Sequence, residues 1–304
     1  MTMRVTQQTI ATQVNEGLQR AYQKLARTQE AVTTGYRINH LSDDPIGAAR
    51  VLGLRGFEQS LIQYEKNLST ALSAVESADS VLDGVVDRLV RAKELALAMA
   101  NDSNSPDQRL QTSKEVRELL NQVLNFANTS VENRFIFAGF INETPPFSEA
   151  GGAVSYAGDS GEIFVQTSSI SSIALNVPGD RLFQGAGLAA GVDIFDVYLD
   201  LEAALQNNDV SGVDGIRTQI GRIDVAIDQV LSFRAEFGAR YDHARVAQEA
   251  ISVMKIQNNE RRSQIQDADA LAVYSDFARY QQAFQAALQS ASQMLQPSLL
   301  NFLK

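Results

Sequence analysis

The sequence has no cysteine and no tryptophan, and only two histidines, His40 and His243, among 304 residues. Without cysteine the chain cannot form disulfides, thiolate zinc sites or a thiol nucleophile. Long apolar runs are also missing, since none approaches the ~18 residues typical of a membrane span. The first ten residues are polar and lack the apolar segment of a cleavable signal peptide, so we expect neither conventional secretion nor a membrane anchor.

Negative charge exceeds positive charge, and the excess lies in the middle of the chain. The formal net charge is −10. Residues 1–40 carry five Arg and Lys against two Glu, whereas residues 257–304 carry four charges of each sign. The body therefore holds the acidic excess, and no basic patch interleaved with aromatic residues is present. We therefore do not expect nucleic acid as a partner.

A hydrophobic heptad pattern between Pro45 and about Ala100 predicts a long helix. One column contains Leu54, Leu61, Leu68, Val75, Leu82, Leu89 and Ala96, and the other contains Phe57, Tyr64, Ala71, Ala78, Val85, Ala92 and Met99. Two such columns predict a coiled-coil helix of roughly 80 Å whose stripes form packing core. Asp43 and Asp44 precede Pro45 as a helix cap, which we favour over a metal or acid–base site.

Two further helices are predicted to complete a helical bundle. The turn-rich segment 101–106 precedes a capping-box pattern at Ser105 and Gln108, and the helix is predicted to run to about Asn133. Another long helix follows residues 207–212. Its apolar column contains Ile216, Ile223, Val230, Phe237, Ala244 and Ile251. This column makes the helix the antiparallel partner of the first long helix.

Between the helical flanks, residues 135–190 are predicted to form a small β-rich insert. Residues 135–139 suit a strand, as do the short runs 162–166 and 172–177. No Gly-Lys-Ser/Thr follows any of its glycines, so a phosphate-binding loop is not expected. The predicted fold is therefore mainly α, with a long antiparallel coiled-coil bundle built from the N- and C-terminal flanks and a small β-rich inserted domain.

We predict a three-part domain organisation. The terminal coiled-coil domain would comprise residues 1–40 and 257–304, and the helical bundle residues 41–134 and 191–256. Residues 135–190 would form the outer domain. Both ends carry narrow apolar stripes, with Gln as a frequent neighbour. The stripe residues are Val14, Leu18, Leu25, Val32, Val273, Phe277, Tyr280, Phe284, Leu288 and Leu295.

These terminal stripes are too thin for a stable isolated helix pair. Burying an apolar side chain contributes roughly 1.5–3 kcal/mol, whereas ordering each backbone residue costs roughly 1–2 kcal/mol. We therefore expect both ends to be mobile in the free monomer and to become helical when neighbouring copies bury them. In the alternative arrangement, the ends form a coiled coil on their own bundle.

One segment resembles a known family signature. It runs Thr-Gly-Tyr-Arg-Ile-Asn-His-Leu-Ser-Asp-Asp-Pro over residues 34–45 and resembles the N-terminal signature of the flagellin superfamily. The residues that carry this resemblance are Gly35, Arg37, Ile38, Asn39, Ser42, Asp43, Asp44 and Pro45. The segments 134–139 with 144–147, 237–240 and 267–303 also resemble the third type of hook-associated protein in this superfamily.

The resemblance implies a structural component of the bacterial flagellum, a polymerising adaptor at the hook–filament junction. It implies that the terminal helices form the inner tube of a hollow polymer. It also implies type III export without signal cleavage, a cytoplasmic export chaperone on the C-terminal region, and an extracellular location between the hook-side junction protein and flagellin. The stripe residues would then be the polymerisation and chaperone interface.

Two other functions remain open at this point. The chain could be flagellin itself, which shares these ends, or a cytoplasmic coiled-coil chaperone or adaptor. No Ser/His/Asp, metal or nucleotide constellation stands out in the sequence, so we expect no enzyme activity, no catalytic residues, no metal and no cofactor.

Overall fold

The computed structural model describes residues 2–131 and 133–300, with the side chains of residues 9, 11–131 and 133–293. The helices are α1 (Thr2–Thr34), α2 (Pro45–Met99), α3 (Pro106–Ala127), α4 (Gly179–Phe183), α5 (Ile194–Gln206), α6 (Ile216–Gln266) and α7 (Ala270–Leu300). The strands are β1 (Ser130–Val131), β2 (Arg134–Phe135), β3 (Phe147–Ala150), β4 (Ala153–Tyr156), β5 (Phe164–Gln166) and β6 (Ser172–Ala174). The mainly α fold predicted from the sequence is confirmed.

The chain divides into two compact units. Residues 1–60 and 253–304 form the terminal unit, and residues 61–252 form the body. The long helices α2 and α6 each contribute to both units. The three-part division predicted from the sequence is finer than this and stays a prediction.

In the body, α2 packs antiparallel against α6. The α6 column from Ile216 to Ile251 is buried. The residues of the α2 columns from Leu61 to Ala96 are also buried, except Tyr64, which is half-buried. Ion pairs join the polar edges of the two helices, with 2.7 Å between Arg234 Nη1 and Asp83 Oδ1. The heptad columns therefore form the core of the body, as predicted.

The first heptad of α2 does not follow this pattern. Leu54 is half-buried, and Phe57 is 47% exposed. Both residues belong to the terminal unit, whereas α3, α5 and the strands belong to the body. The prediction that the whole of both columns forms core is therefore wrong for these two residues, because the layers that cover α2 in the body are absent from their unit.

The second helix, α3, begins as predicted and ends earlier. Ser105 Oγ accepts a hydrogen bond from the backbone N–H of Gln108, and Gln108 Oε1 accepts from the backbone N–H of Ser105 at 2.8 Å. The helix ends at Ala127, not near Asn133. Asn128 caps it, and its side-chain amide makes two 2.9 Å hydrogen bonds with the backbone of Phe147, which draws the chain towards β3.

The strands pair as three antiparallel two-stranded sheets, β1 with β2, β3 with β4 and β5 with β6. The predicted strand over residues 135–139 is wrong beyond Phe135, because the chain turns there and buries Phe137 in the body's core. Gly139 has a φ of +72°, and a Cβ at that position would lie 2.3 Å from the carbonyl oxygen of Asp159. The two later strands are confirmed in shorter form.

Aromatic side chains join the strand region to the helices of the body. The ring of Phe147 on β3 lies 5.3 Å from that of Phe183 on α4 and 5.0 Å from that of Phe195 on α5. All three side chains are fully buried. Most buried apolar residues of the segment 135–190 therefore share a hydrophobic core with the helices, and Ile173 packs with α2 and α6 in a second cluster.

Candidate polymerisation surface and signature turn

Within the terminal unit, α1 and α7 form an antiparallel pair. The ring of Tyr22 on α1 lies 5.8 Å from that of Phe284 on α7. Lys24 Nζ lies 5.8 Å from the centre of the Tyr280 ring. Half-buried positions recur three and four residues apart along both helices, which is the spacing of a coiled-coil seam.

Most of the stripe residues predicted from the sequence lie along this seam. The half-buried members are Val14, Leu18, Leu25, Val32, Val273, Phe277, Tyr280 and Phe284. Leu288 is 45% exposed, and the side chain of Leu295 lies outside the described residues. Small residues omitted from the predicted interface complete the seam. They are Ala21, Thr28, Ala287 and Ala291, which belong to the same heptad columns of the sequence and are half-buried.

The described side chains of α1 and α7 leave considerable apolar surface in solvent. None of them is fully buried, in contrast to the α2 and α6 columns of the body. Leu271 is 85% exposed, and Tyr22 and Tyr274 are also exposed. These last three residues were not singled out by the sequence, because they lie off the heptad columns.

The second half of the signature segment caps α2. Asp44 Oδ1 accepts a 2.9 Å hydrogen bond from the backbone N–H of Gly47, as expected for a cap ahead of Pro45. A Cβ at Gly47 would lie only 2.6 Å from Cδ1 of Ile38, which is buried. The small residue therefore allows the signature segment to fold closely over the first turn of α2.

Asp43 organises the turn ahead of this cap. Its Oδ2 accepts hydrogen bonds from the backbone N–H of His40 at 2.9 Å and of Asn39 at 3.2 Å. These bonds favour the ionised carboxyl, and the pKa of Asp43 lies below its ordinary value, chiefly because of the bond from His40. Ser42 is exposed. The two adjacent carboxylates thus serve the backbone, as the capping interpretation predicts.

The first half of the signature segment pairs with the turn between α6 and α7. The carbonyl oxygen of Gly35 accepts a 2.9 Å hydrogen bond from the backbone N–H of Ala268. Arg37 donates its backbone N–H to the carbonyl oxygen of Gln266 at 2.7 Å, and its Nη2 donates to that of Ile265 at 2.9 Å. Sequence reasoning identified both segments but not their pairing, because no local pattern connects residues more than 200 positions apart.

The described residues offer neither a metal site nor a membrane-spanning helix. Within the part of the chain that the structure describes, no group of three or more His, Asp or Glu side chains could hold a metal ion. Among those same residues, no helix combines the length and the apolar character needed to cross a membrane.

Comparison with known proteins identifies the family. Residues 5–142 match the bacterial flagellin N-terminal helical region, and residues 220–303 match the bacterial flagellin C-terminal helical region. Flagellar hook-associated protein 3 of Escherichia coli K12 is 27% identical over 319 residues, which cover 99% of this chain and 100% of that protein. A flagellin of Listeria monocytogenes is 26% identical over 299 residues, 98% of each chain.

The solved structure of a flagellar hook-associated protein from Vibrio parahaemolyticus has the same fold. It superposes with a TM-score of 0.65 at 20% sequence identity, covering 74% of this chain and 100% of that one. The two family regions contain the signature segment and the α1–α7 seam. The chain therefore belongs to the flagellin superfamily, within its hook-associated branch, and is a structural protein of the bacterial flagellum.

Proposed function

We propose that this protein is the polymerising adaptor at the hook–filament junction, located between the hook-side junction protein and flagellin in the extracellular flagellum. The observation that carries the proposal is the incomplete burial of the α1–α7 seam. Its apolar residues are only half-buried by their own pair, and Leu271, Tyr274 and Leu288 remain exposed. Further helices of the same kind would cover this surface and favour assembly of like chains.

Charge supports close lateral packing of neighbouring copies. Residues 257–304 carry four positive and four negative charges, so identical α7 helices would repel each other little. Glutamine is frequent on α7, for example at Gln281 and Gln285, and its amide can donate and accept hydrogen bonds between copies. The α7 helices of neighbouring copies could therefore pack closely in the inner tube of the polymer.

The predicted interface serves two partners in succession under this proposal. A cytoplasmic export chaperone would cover the face from Phe277 to Leu295 before passage through the type III apparatus. Neighbouring copies would later bury the same face. The three predicted domains would then form the inner tube, the surrounding bundle and the outer projection of the polymer. The protein would act only as a structural element and would catalyse no reaction.

Deletion of the gene tests the proposal. We expect hooks without filaments on the cells and flagellin shed into the medium, because filament subunits would lack their attachment layer. Complementation with Leu25→Asp should fail to restore filaments, since the charge would lie in the α1–α7 seam. Gln111→Asp places the same charge on the exposed face of α3 and should restore them.

Two outcomes would contradict the junction assignment. Normal filaments on cells that lack the gene would exclude it. Filaments composed of this protein alone would instead support the flagellin alternative. That alternative is consistent with the similarity to the Listeria flagellin.

A further inference from the structure

Two chain reversals in the terminal unit are joined by hydrogen bonds. We name the joined segments the turn clasp and define it as residues 35–38 together with residues 265–268. Its bonds run in both directions, since Ala268 donates to the Gly35 carbonyl and Arg37 donates to the Gln266 carbonyl. Tyr36 and Asp267 lie opposite each other in an antiparallel bridge. The clasp therefore connects the end of α1 to the end of α6 and to the turn that precedes α7.

Side-chain packing alone specifies the register of α1 and α7 only weakly. The seam repeats every seven residues on both helices, so sliding α7 by one heptad places apolar residues opposite apolar residues again. Tyr22, which contacts Phe284, would then meet Phe277 or Ala291. Neither of these alternative pairings places a charged residue in the half-buried seam.

We infer that the turn clasp sets the longitudinal register of α1 against α7, with Gly35 and Arg37 as its positioning residues. The inference goes beyond the proposed function, because register is a property of the single chain. A hydrogen-bonded turn cannot slide by a heptad without breaking every bond across it, whereas the seam can. The clasp therefore supplies the specificity that the repeated seam lacks.

Two features of the sequence suit these residues to the task. Gly35 has a φ of +73°, a left-handed conformation that ends α1 and directs its carbonyl towards Ala268. The Arg37 guanidinium extends from the carbonyl of Ile265, near the end of α6, to Asp44 at the cap of α2, where the N–O distance is 3.6 Å. The clasp is thus connected to both long helices.

A shift of register would change the surface available to neighbouring copies. Moving α7 by seven residues displaces Leu271 and Tyr274 by about 10 Å along α1. Copies with different registers would present different surfaces and could not repeat in one helical layer. This consequence rests on the proposed function, although the clasp itself does not.

The absence of native cysteine permits a direct test by disulfide formation in the purified full-length chain. Tyr22→Cys is combined in turn with Phe284→Cys, Phe277→Cys or Ala291→Cys, and the rates of disulfide formation are compared. The first pair reports the observed register, and the other two report shifts of one heptad. In the parent chain, we expect the first pair to close at least about ten-fold faster, because disulfides require close Cβ atoms.

Breaking the clasp should remove this preference. Arg37→Ala removes the guanidinium bond, and Ala268→Pro removes the N–H that donates to Gly35. In the double variant we expect the preference to fall below about three-fold. Arg50→Ala, which removes an exposed arginine from α2, is the matched control and should leave the preference unchanged. The melting transition of the body checks that each chain is folded. If the double variant does not fold, the comparison is made with Arg37→Ala alone.

Either of two results would overturn the inference. One is an undiminished preference in a folded clasp variant, and the other is equal closure of all three pairs in the parent. Because the assay needs no flagellum, its outcome is independent of the deletion phenotype that tests the junction assignment.

Discussion

The body and the α1–α7 pair are built from the same type of apolar heptad, yet side chains at equivalent positions differ in burial. In the body, Leu68 and Leu82 on α2 are completely buried, whereas Leu18 and Leu25 on α1 are only half-buried. The body adds α3, α5 and the strands around α2 and α6, and these layers exclude water from the seam. Heptad periodicity thus determines which face of a helix is apolar, and the number of packing layers determines how completely that face is buried.

Hydrogen exchange should show the largest difference between these regions. We expect amides in residues 61–96 and 216–251 of the free monomer to exchange at least about 10³-fold more slowly than those in residues 9–34 and 270–293. The reason is that opening the body must expose a full core, whereas opening α1 and α7 exposes a seam already half in water. Mass spectrometry of a verified monomer provides the measurement. Similar protection in both regions would show that α1 and α7 are ordinary parts of a stable fold.

A charge placed at a heptad position should lower the free energy of unfolding much more in the body than in the α1–α7 seam. Leu68→Asp would bury an unpaired carboxylate among Leu61, Ala244 and Ile251, and we expect the body to lose at least about 4 kcal/mol in its free energy of unfolding. Leu18→Asp is the matched variant and should change the same transition by less than about 0.5 kcal/mol, since its carboxylate stays partly hydrated. Denaturant unfolding followed by circular dichroism compares them, and an unchanged midpoint for Leu68→Asp would exclude it from the core.

Two arginines that donate hydrogen bonds to backbone carbonyls, Arg240 in the body and Arg37 in the terminal unit, differ in exposure. Arg240 Nη1 donates to the carbonyls of Asn176 at 2.9 Å and Ala174 at 3.3 Å, and the side chain is only 15% exposed. Arg37 is 56% exposed. We expect Arg240→Ala to lower the free energy of unfolding of the body by about 2 kcal/mol, because buried carbonyls lose their donor. Arg37→Ala should leave this transition unchanged. Equal effects of the two substitutions would contradict the difference in burial.

Protonation of Asp43 should have the smallest effect, and this effect should be confined to the terminal unit. The pKa of Asp43 is lowered by the amides of His40 and Asn39, so its contribution to stability is present above the unfolded-state pKa and is lost as the pH falls through the lower folded-state pKa. We therefore expect exchange protection of these two amides to decrease below about pH 4. Asp43→Asn should remove this pH dependence. A pH-dependent loss that persists in Asp43→Asn would assign the effect to another group.

Sequence predictions that rest on contacts within a few helical turns were correct, whereas the strand prediction, which depends on tertiary packing, was not. The capping box at Ser105 and Gln108 and the cap at Asp44 were predicted correctly, because a cap involves residues within one helical turn. The heptad columns of α2 and α6 were also predicted, because their period repeats over many turns. The strand predicted at residues 135–139 was wrong beyond Phe135, because β propensity cannot show that Phe137 enters the core from a turn.

The candidate site shows the same division. The sequence alone identified the stripes of α1 and α7 and the signature residues, since both are local patterns. It could not show that Gly35 and Arg37 bind the turn at Gln266 and Ala268, because that pairing depends on where α2 and α6 bring their ends.

By itself, then, the sequence determined where the long helices lie, which of their faces are apolar, where caps begin α2 and α3, and to which superfamily the chain belongs. The tertiary structure decided which apolar faces are fully buried, which turns are joined and where the strand region finds its core. The physical reason is that secondary structure and amphipathic periodicity arise from interactions within a few turns of chain. Burial and turn pairing instead depend on distant segments that only folding brings together.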